Sequence, residues 1–382
     1  MKQDPGLRIT PDEPGTRDTV RPLYAPAEAV MDEAPIYLLS VIVPARNEQD
    51  CVAACLDSLI SQSEPGFELG RDWELLLIDD RSTDGTAAIL ALAATRPGVT
   101  LLEAPTLDPT PQGGFTGKTN ACWAGAQAAR GALLLFTDAD TIHEPGDLSR
   151  ARHELEKYHV SLLSYSPRQL TSGPLQTVLM PLVFAELAIV YPPARVNEPG
   201  DRTAAANGQF LLVEQEAYFA VGGHRAVGPN VLEDVALAHN IKRTKRSLRF
   251  RYAPDALSTR MYRTTAAMME GWTKNLALLF PSPLLLAAMR LLDLLLIFCI
   301  PLVALVYPFF ITWQRAALFL LWARVLWRFY TRVAKSNFPW VQCALSVFGL
   351  PLFCVLLIRS YLQVRVFKKV EWKGRTYAMP PR

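Results

Sequence analysis

Between Ile36 and Asp140 the chain repeats one pattern: an apolar run that ends in polar residues, then a segment with helical spacing. "IYLLSVIVPARNE" (36–48) is continuously apolar until Pro44, as in a buried parallel strand that feeds a loop. "EQDCVAACLDSLISQ" (48–62) sets apolar residues at 52, 55, 56, 59 and 60, one face of a helix. "WELLLIDDRSTDGT" (73–86) predicts a second strand, with Asp84 or Thr83 capping the helix that follows. "VTLLEAP" (99–105) predicts a third strand, and "KTNACWAGAQAARG" (118–131) a helix stopped by Gly131. "ALLLFTDAD" (132–140) predicts a fourth strand. Strands alternating with helices give an α/β fold with a mostly parallel sheet. Two of these strands end in acidic pairs, Asp79–Asp80 and Asp138 with Asp140, on what is expected to be one sheet edge. Ligands of open α/β sheets bind outside the carboxyl ends of the strands.

Further on, the apolar runs lengthen. "PLQTVLMPLVFAELAIVYPP" (174–193) holds one interior charge, Glu186, and its prolines argue against a plain membrane span. It reads either as a buried helix or as a helix on the bilayer surface, with Leu182, Phe184 and Ile189 as its apolar contacts. "VLEDVALAHNI" (231–241) predicts a helix with Glu233 and Asp234 in its first turn, where acidic residues are favoured. Residues 294–313 and 338–358 carry no charge, and each is long enough as a helix to cross a bilayer. Leu276–Met289 is a shorter apolar stretch. Between the two spans, Arg324, Arg328 and Arg332 recur every fourth residue. They form a stripe suited to anionic lipid head groups or to a weaker third crossing. Arg359, Arg365, Lys368, Lys369, Lys373 and Arg375 follow, the mark of a cytoplasmic flank. With both ends inside, the number of crossings is even.

Four regions result: a disordered tail (1–34), an α/β domain (35–275), membrane-spanning and interfacial helices (276–370), and a cytosolic tail (371–382). The first contains no signal peptide and no span. The expected location is the inner (plasma) membrane, multi-pass, with the α/β domain in the cytoplasm. A net charge of +3 on 382 residues gives no nucleic-acid signature. The six cysteines (51, 55, 122, 299, 343, 354) have neither metal-type nor disulfide spacing, and Cys51 and Cys55 read as packing residues. Of the histidines, His143 is expected at the surface, and His153, His159 and His239 in structural roles. His224 is a candidate contact to a metal or diphosphate.

The acidic strand ends suit one pocket. Asp138 and Asp140 are a fitting donor pair for Mg²⁺ or Mn²⁺, which neutralises a diphosphate. Lys118 follows the Gly-rich "GGFTGK", well placed to add positive charge near phosphates. The spacing is not GxxxxGK[ST], so ATP hydrolysis of the P-loop kind is not expected. Asp234 is a candidate to take a proton from an acceptor hydroxyl.

With "SVIVPARNE", "LLIDDRSTDGT", "GK" at 117–118, "TDAD", "LED" at 232–234 and the Trp of "EGWTKN" in this order, the chain resembles a family 2 glycosyltransferase of GT-A fold. Within that family it is most similar to members associated with hopanoid and carotenoid pathways, through "TAAANGQFLLV", "VGGH" and the tail ending in "VEWKGRTY". The resemblance implies that Pro44, Ala45 and Glu48 border the nucleotide pocket. It implies that Asp80, with Asp79, reads the base, that Lys118 approaches the base or diphosphate, and that Asp138 and Asp140 hold nucleotide and metal. Asp234 is then the general base of an inverting displacement, and Trp272, with Glu233, belongs to the acceptor side. The implied donor is a UDP- or GDP-sugar, and the implied acceptor a membrane lipid in an anionic bilayer. Gly271 stands where processive members have Arg before the Trp, which favours transfer of a single sugar. The competing readings are transfer to polyprenyl phosphate, synthesis of a short glycan, and a non-catalytic nucleotide-sugar-binding membrane protein.

Overall fold

The structure is a computed structural model that describes residues 36–62, 64, 66–107, 114–307, 310–372 and 375–378. The tail expected at 1–34 lies outside these residues. In chain order the first elements are β1 (Tyr37–Ala45), α1 (Val52–Ile60), β2 (Trp73–Asp79), α2 (Thr86–Ala93), β3 (Val99–Glu103), α3 (Gly117–Ala128) and β4 (Gly131–Phe136). They follow the alternation read from the sequence. Next come β5 (Thr141–His143), α4 (Asp147–Tyr158), β6 (Leu162–Ser166), β7 (Arg168–Gln169) and α5 (Gly173–Val190). Three short helices, α6 (Pro193–Val196), α7 (Gln215–Ala220) and α8 (Gly223–Ala226), surround β8 (Leu211–Glu214). The domain closes with α9 (Glu233–Arg243), β9 (Leu248–Tyr252), β10 (Leu257–Thr259) and α10 (Thr265–Leu279).

The main sheet has the order β3-β2-β1-β4-β8-β6-β9. Only β8 runs antiparallel to its neighbours. The continuous apolar text of β1 and β2 has a direct cause: both faces are covered. Val41, Val43, Leu75 and Leu77 pack with Val52, Leu56 and Leu90 on one face. The alternate residues Ile42, Leu76 and Ile78 pack with Ala121, Cys122, Leu237 and Ile241 on the other. A second, three-stranded sheet, β5-β10-β7, sits beside the carboxyl edge. Gly131 does not stop α3, which ends at Ala128; it opens β4. A Cβ there would fall 2.4 Å from the backbone nitrogen of Ser40, so the close approach of β4 to β1 requires glycine.

The apolar helices follow as α11 (Pro283–Val306), α12 (Thr312–Val333), α13 (Trp340–Leu345) and α14 (Leu350–Tyr361). Among the described residues three helical runs are long and apolar enough to cross a membrane: Gly173–Val196, Pro283–Val306 and Trp340–Val366. The span expected at 294–313 is thus displaced. α11 begins eleven residues earlier and contains Arg290 and Asp293; it ends at Val306, and α12 starts at Thr312. The uncharged window misplaced the helix because Asp293 is neutralised, not solvated. Its carboxylate lies 2.6 Å from Arg328, 2.9 Å from Arg332 and 3.0 Å from Arg290, which also meets Glu186 at 3.1 Å. Two of the three stripe arginines therefore turn into the helix packing and not out to lipid head groups. The Leu276–Met289 stretch is divided between α10 and α11 at Pro281–Ser282. Around these helices a broad apolar surface is exposed, including Leu285, Leu305, Leu320, Trp327 and Trp340. Patches of this extent mark a membrane or partner interface.

Candidate active site

Parallel pairing brings the ends of β1, β2 and β4 to one edge. Ala45 is in register with Asp79, and Ile42 with Phe136. The loops beyond them are latched together. The Asp80 N–H donates to the Ala45 carbonyl (2.8 Å), Arg46 donates to the Asp80 carbonyl (2.7 Å), and Thr83 N–H donates to Asn47 Oδ1 (2.9 Å). Asn47 and Arg81 both hold positive φ, which lets these two loops turn sharply against each other. The "TDADT" segment is fixed in turn by its own two threonines and by Thr259 of β10. Thr141 Oγ donates to the Asp138 carbonyl (2.6 Å), Thr259 Oγ to the Asp140 carbonyl (3.2 Å) and Thr137 Oγ to the Gln209 carbonyl (2.8 Å).

A cavity of about 440 Å³ opens at this edge. It gathers Pro44, Ala45, Glu48, Asp80, Lys118, Asp138, Asp140, Glu233 and Asp234 on its wall. Two expected residues are elsewhere. The Asp79 carboxylate accepts from Ser82 N–H (3.2 Å) and Ser82 Oγ (2.6 Å) in its own loop. Trp272 is buried against Phe184 and Tyr262 on the side of the apolar helices, and Tyr262 stands between it and the cavity. Sequence reading passed over Arg46, Asn207, Gly208, Gln209, Arg260, Tyr262, Arg263, Lys274 and Asn275, which also line the cavity. The Arg260–Arg263 segment follows β10, a three-residue strand too short to leave a periodic signal.

The charges are arranged in one cluster. Thr116 caps α3 by accepting from Thr119 N–H (3.1 Å), and this first turn sends Lys118 into the cavity. Its ammonium lies 2.8 Å from Asp138 and 3.0 Å from Glu233. Burial alone would lower its pKa, but these two carboxylates outweigh burial and hold it well above the usual lysine range. Burial likewise pushes Glu233 up, yet Lys118 prevails and keeps it below the ordinary carboxylate value. Asp234 differs. Burial first, and the neighbouring Glu233 second, push it up to about 6. Its oxygens accept from the backbone N–H groups of Gly208 and Val235, both at 2.8 Å, so its orientation is set by the backbone.

Two histidine expectations change. His143 is buried, its Nδ1 lying 2.8 Å from Asp147 and its Nε2 3.0 Å from Thr137. His224 is buried behind the site, 2.9 Å from the Tyr218 hydroxyl, and burial lowers it to about 4. It packs edge-on against Phe136 as a neutral ring and does not line the cavity.

Residues 40–218, most of the α/β domain, match the model of Glycosyl transferase family 2. The class of the protein is therefore that of the glycosyltransferases. The chain is 26% identical over 362 aligned residues to a 4,4'-diaponeurosporenoate glycosyltransferase of Staphylococcus aureus, covering 89% of this chain and 88% of that one. Among solved structures it is similar to a mannosyltransferase from Pyrobaculum calidifontis, determined in complex with GDP-Man and Mn²⁺. That likeness has a TM-score of 0.51 and 17% identity, over 88% of this chain and 92% of that one. The shared fold is GT-A.

Proposed function

We propose that the protein transfers one sugar from a nucleoside-diphosphate sugar to a lipid-like acceptor at a membrane, with inversion, and that Asp234 is the general base. The observation that carries this is the state of Asp234. It is a carboxylate on the cavity wall, oriented by two backbone donors and pushed up toward neutrality, beside a lysine–carboxylate cluster suited to a diphosphate. The acceptor hydroxyl gives its proton to Asp234 as its oxygen attacks the anomeric carbon, and the bond to the diphosphate oxygen breaks on the opposite side. Asp80, buried at the end of β2, is assigned to the base or ribose, with Pro44, Ala45 and Glu48 bordering it and Asp79 shaping its loop. Trp272 is assigned to the acceptor side as support for Tyr262, and Glu233 as the group that holds Lys118.

Asp138 and Asp140 flank Ala139 on the cavity wall, and among the described residues no group of three or more metal-binding side chains occurs. Two carboxylates fit a hard cation that completes its shell with substrate phosphate and water, as Mg²⁺ and Mn²⁺ do. Such an ion supplies charge neutralisation at the diphosphate.

The lipid-like acceptor is supported by the exposed apolar helices and by the staphylococcal relative, whose name specifies diaponeurosporenoate. The packing also supports one topology. α12 returns along α11, with Trp322 Nε1 donating to the Ile297 carbonyl (2.8 Å) and Arg328 and Arg332 reaching Asp293. Trp340–Val366 begins just after α12 and ends beside α10, where Ser360 Oγ accepts from Ala277 N–H (2.8 Å). The proposed crossing pair is the α11–α12 hairpin, in which α12, less apolar than the three runs above, has Arg328 and Arg332 neutralised on Asp293, while Trp340–Val366 lies along the cytoplasmic leaflet. Arg359, Arg365 and Lys368 face its anionic lipids. The test is Asp234→Asn: lipid glycosylation is lost while the nucleotide sugar still binds.

A further inference from the structure

α10 has two faces. Met268, Trp272 and Leu276 are buried among the apolar helices, and Ala277 N–H bonds to Ser360 of α14. On the other face Ala267, Lys274 and Asn275 line the catalytic cavity. Gly271 lies on this same stripe, one turn before Lys274, but contributes nothing to the wall. A Cβ there would fall 2.5 Å from the Tyr262 ring, so Tyr262 covers this turn. The polar part of the face is thereby moved one turn along the helix, to Lys274 and Asn275. Asn275 Oδ1 is buried and accepts no hydrogen bond among the described residues.

Charge balance says what the lysine is for. Lys118 is already held between Asp138 and Glu233. With Asp234 ionised, Lys118, Asp138, Glu233 and Asp234 sum to minus two before Asp140 is counted, and the arginines of the wall are placed apart from this cluster: Arg46 pairs with Asp80 at 4.0 Å, Arg263 donates to the Asp50 carbonyl, and Arg260 is exposed. A diphosphate adds further negative charge, and one divalent cation on Asp138 and Asp140 does not offset all of it. The side chain of Lys274, half-buried on the cavity wall, lies within the field of these same four groups. Burial, the largest influence, lowers it to about 8, which leaves it mostly protonated at neutral pH.

We propose that Lys274 is the second cation of the diphosphate site and a catalytic residue: its ammonium binds the diphosphate oxygens of the nucleotide sugar and stabilises the charge that collects there as the sugar leaves. This rests on the transferase reading above. In the step itself the acceptor oxygen–anomeric carbon bond forms and the anomeric carbon–phosphate oxygen bond breaks. The electron pair stays on the phosphate oxygen, and the acceptor proton goes to Asp234. Lys274 remains an ammonium throughout. Lys118 then serves mainly to hold Asp138 and Glu233 in place, and the cation that meets the leaving group is carried by the helix bonded to the apolar layer.

The test is equilibrium binding to the full-length protein in detergent, with UDP and GDP compared against UMP and GMP, in the presence of Mn²⁺. For Lys274→Met, affinity for the bound diphosphate is expected to fall by about 10-fold or more, the scale of one charge-assisted hydrogen bond. Monophosphate affinity stays within about 2-fold, since most of the effect belongs to the second phosphate. Lys274→Arg keeps the charge and recovers most of the loss. Unchanged diphosphate binding in Lys274→Met overturns the proposal, and so does an equal loss of mono- and diphosphate that Lys274→Arg fails to restore. If the wild-type protein binds neither UDP nor GDP, the transferase reading itself fails, a result distinct from either of these.

Discussion

Asp234 and Lys118 lie on one cavity wall, yet their environments act on them in opposite directions. Lys118 has two anionic partners that over-compensate its burial, so its charge is locked. Asp234 is raised by burial and by Glu233, which together outweigh the pull of Lys118 and of its two backbone donors. A base held near 6 is ionised at neutral pH and gains a proton as pH falls, so turnover is expected to drop below about pH 6, not below the ordinary carboxylate range near 4. A pH–rate profile of kcat/KM checks this, and an acid limb at 4 would rule out the assignment. Asp234→Asn keeps shape and removes the acceptor of the proton, so the rate falls by at least about 10²-fold with nucleotide-sugar binding retained. An equal loss of binding would make Asp234 a structural group of the α9 terminus. Asp140→Ala is expected to abolish Mg²⁺- or Mn²⁺-dependent turnover in a folded protein, and full activity in EDTA would contradict the metal reading. At this scale the carboxylates were legible because an apolar run ending in Asp is a strand end with a purpose. Lys274 was not, because one lysine in a helical stretch carries no periodic signal, and its burial depends on where Tyr262 packs.

Among the elements, α5 is where two readings of the sequence separate. Leu182 and Phe184 are buried, Phe184 lying 6.3 Å from Trp272 and 5.6 Å from Phe338 between ring centroids, whereas Ile189 is exposed. Half of the helix's apolar window is inside the protein. Phe184→Ser is therefore expected to destabilise the fold by roughly 3–5 kcal/mol, the scale of losing a buried Phe. Lipid transfer and hydrolysis of the nucleotide sugar then fall together, as thermal unfolding in detergent and a two-product assay will report. Loss of transfer alone would return α5 to the bilayer surface as an acceptor entrance. The strands β1 to β4 were read closely because their apolar runs are covered on both faces. The small sheet of β5, β7 and β10 was missed, since elements of two or three residues depend on tertiary pairing and not on pattern. The start of α11 was missed because a charge count treats Asp293 as solvated, when three arginines satisfy it.

At the scale of the whole molecule, the α/β domain supplies a cavity, and in the proposed function the apolar helices hold it against a membrane. In the proposed hairpin topology the end of α11 at Tyr307 and the start of α12 at Ile311 face the outside. With Cys299 replaced by Ser, a cysteine introduced at Ile311 is expected to react with a membrane-impermeant maleimide in intact cells, while native Cys51 is not. The reverse labelling would invert the orientation. The most direct measurement of the central claim is product analysis with a panel of radiolabelled UDP- and GDP-sugars, Mn²⁺ and a total lipid extract. For one donor, label is expected in the organic phase in step with release of nucleoside diphosphate, and Asp234→Asn is expected to abolish both. Nucleoside diphosphate released with all label left in water, or no turnover of any donor, would contradict a lipid glycosyltransferase.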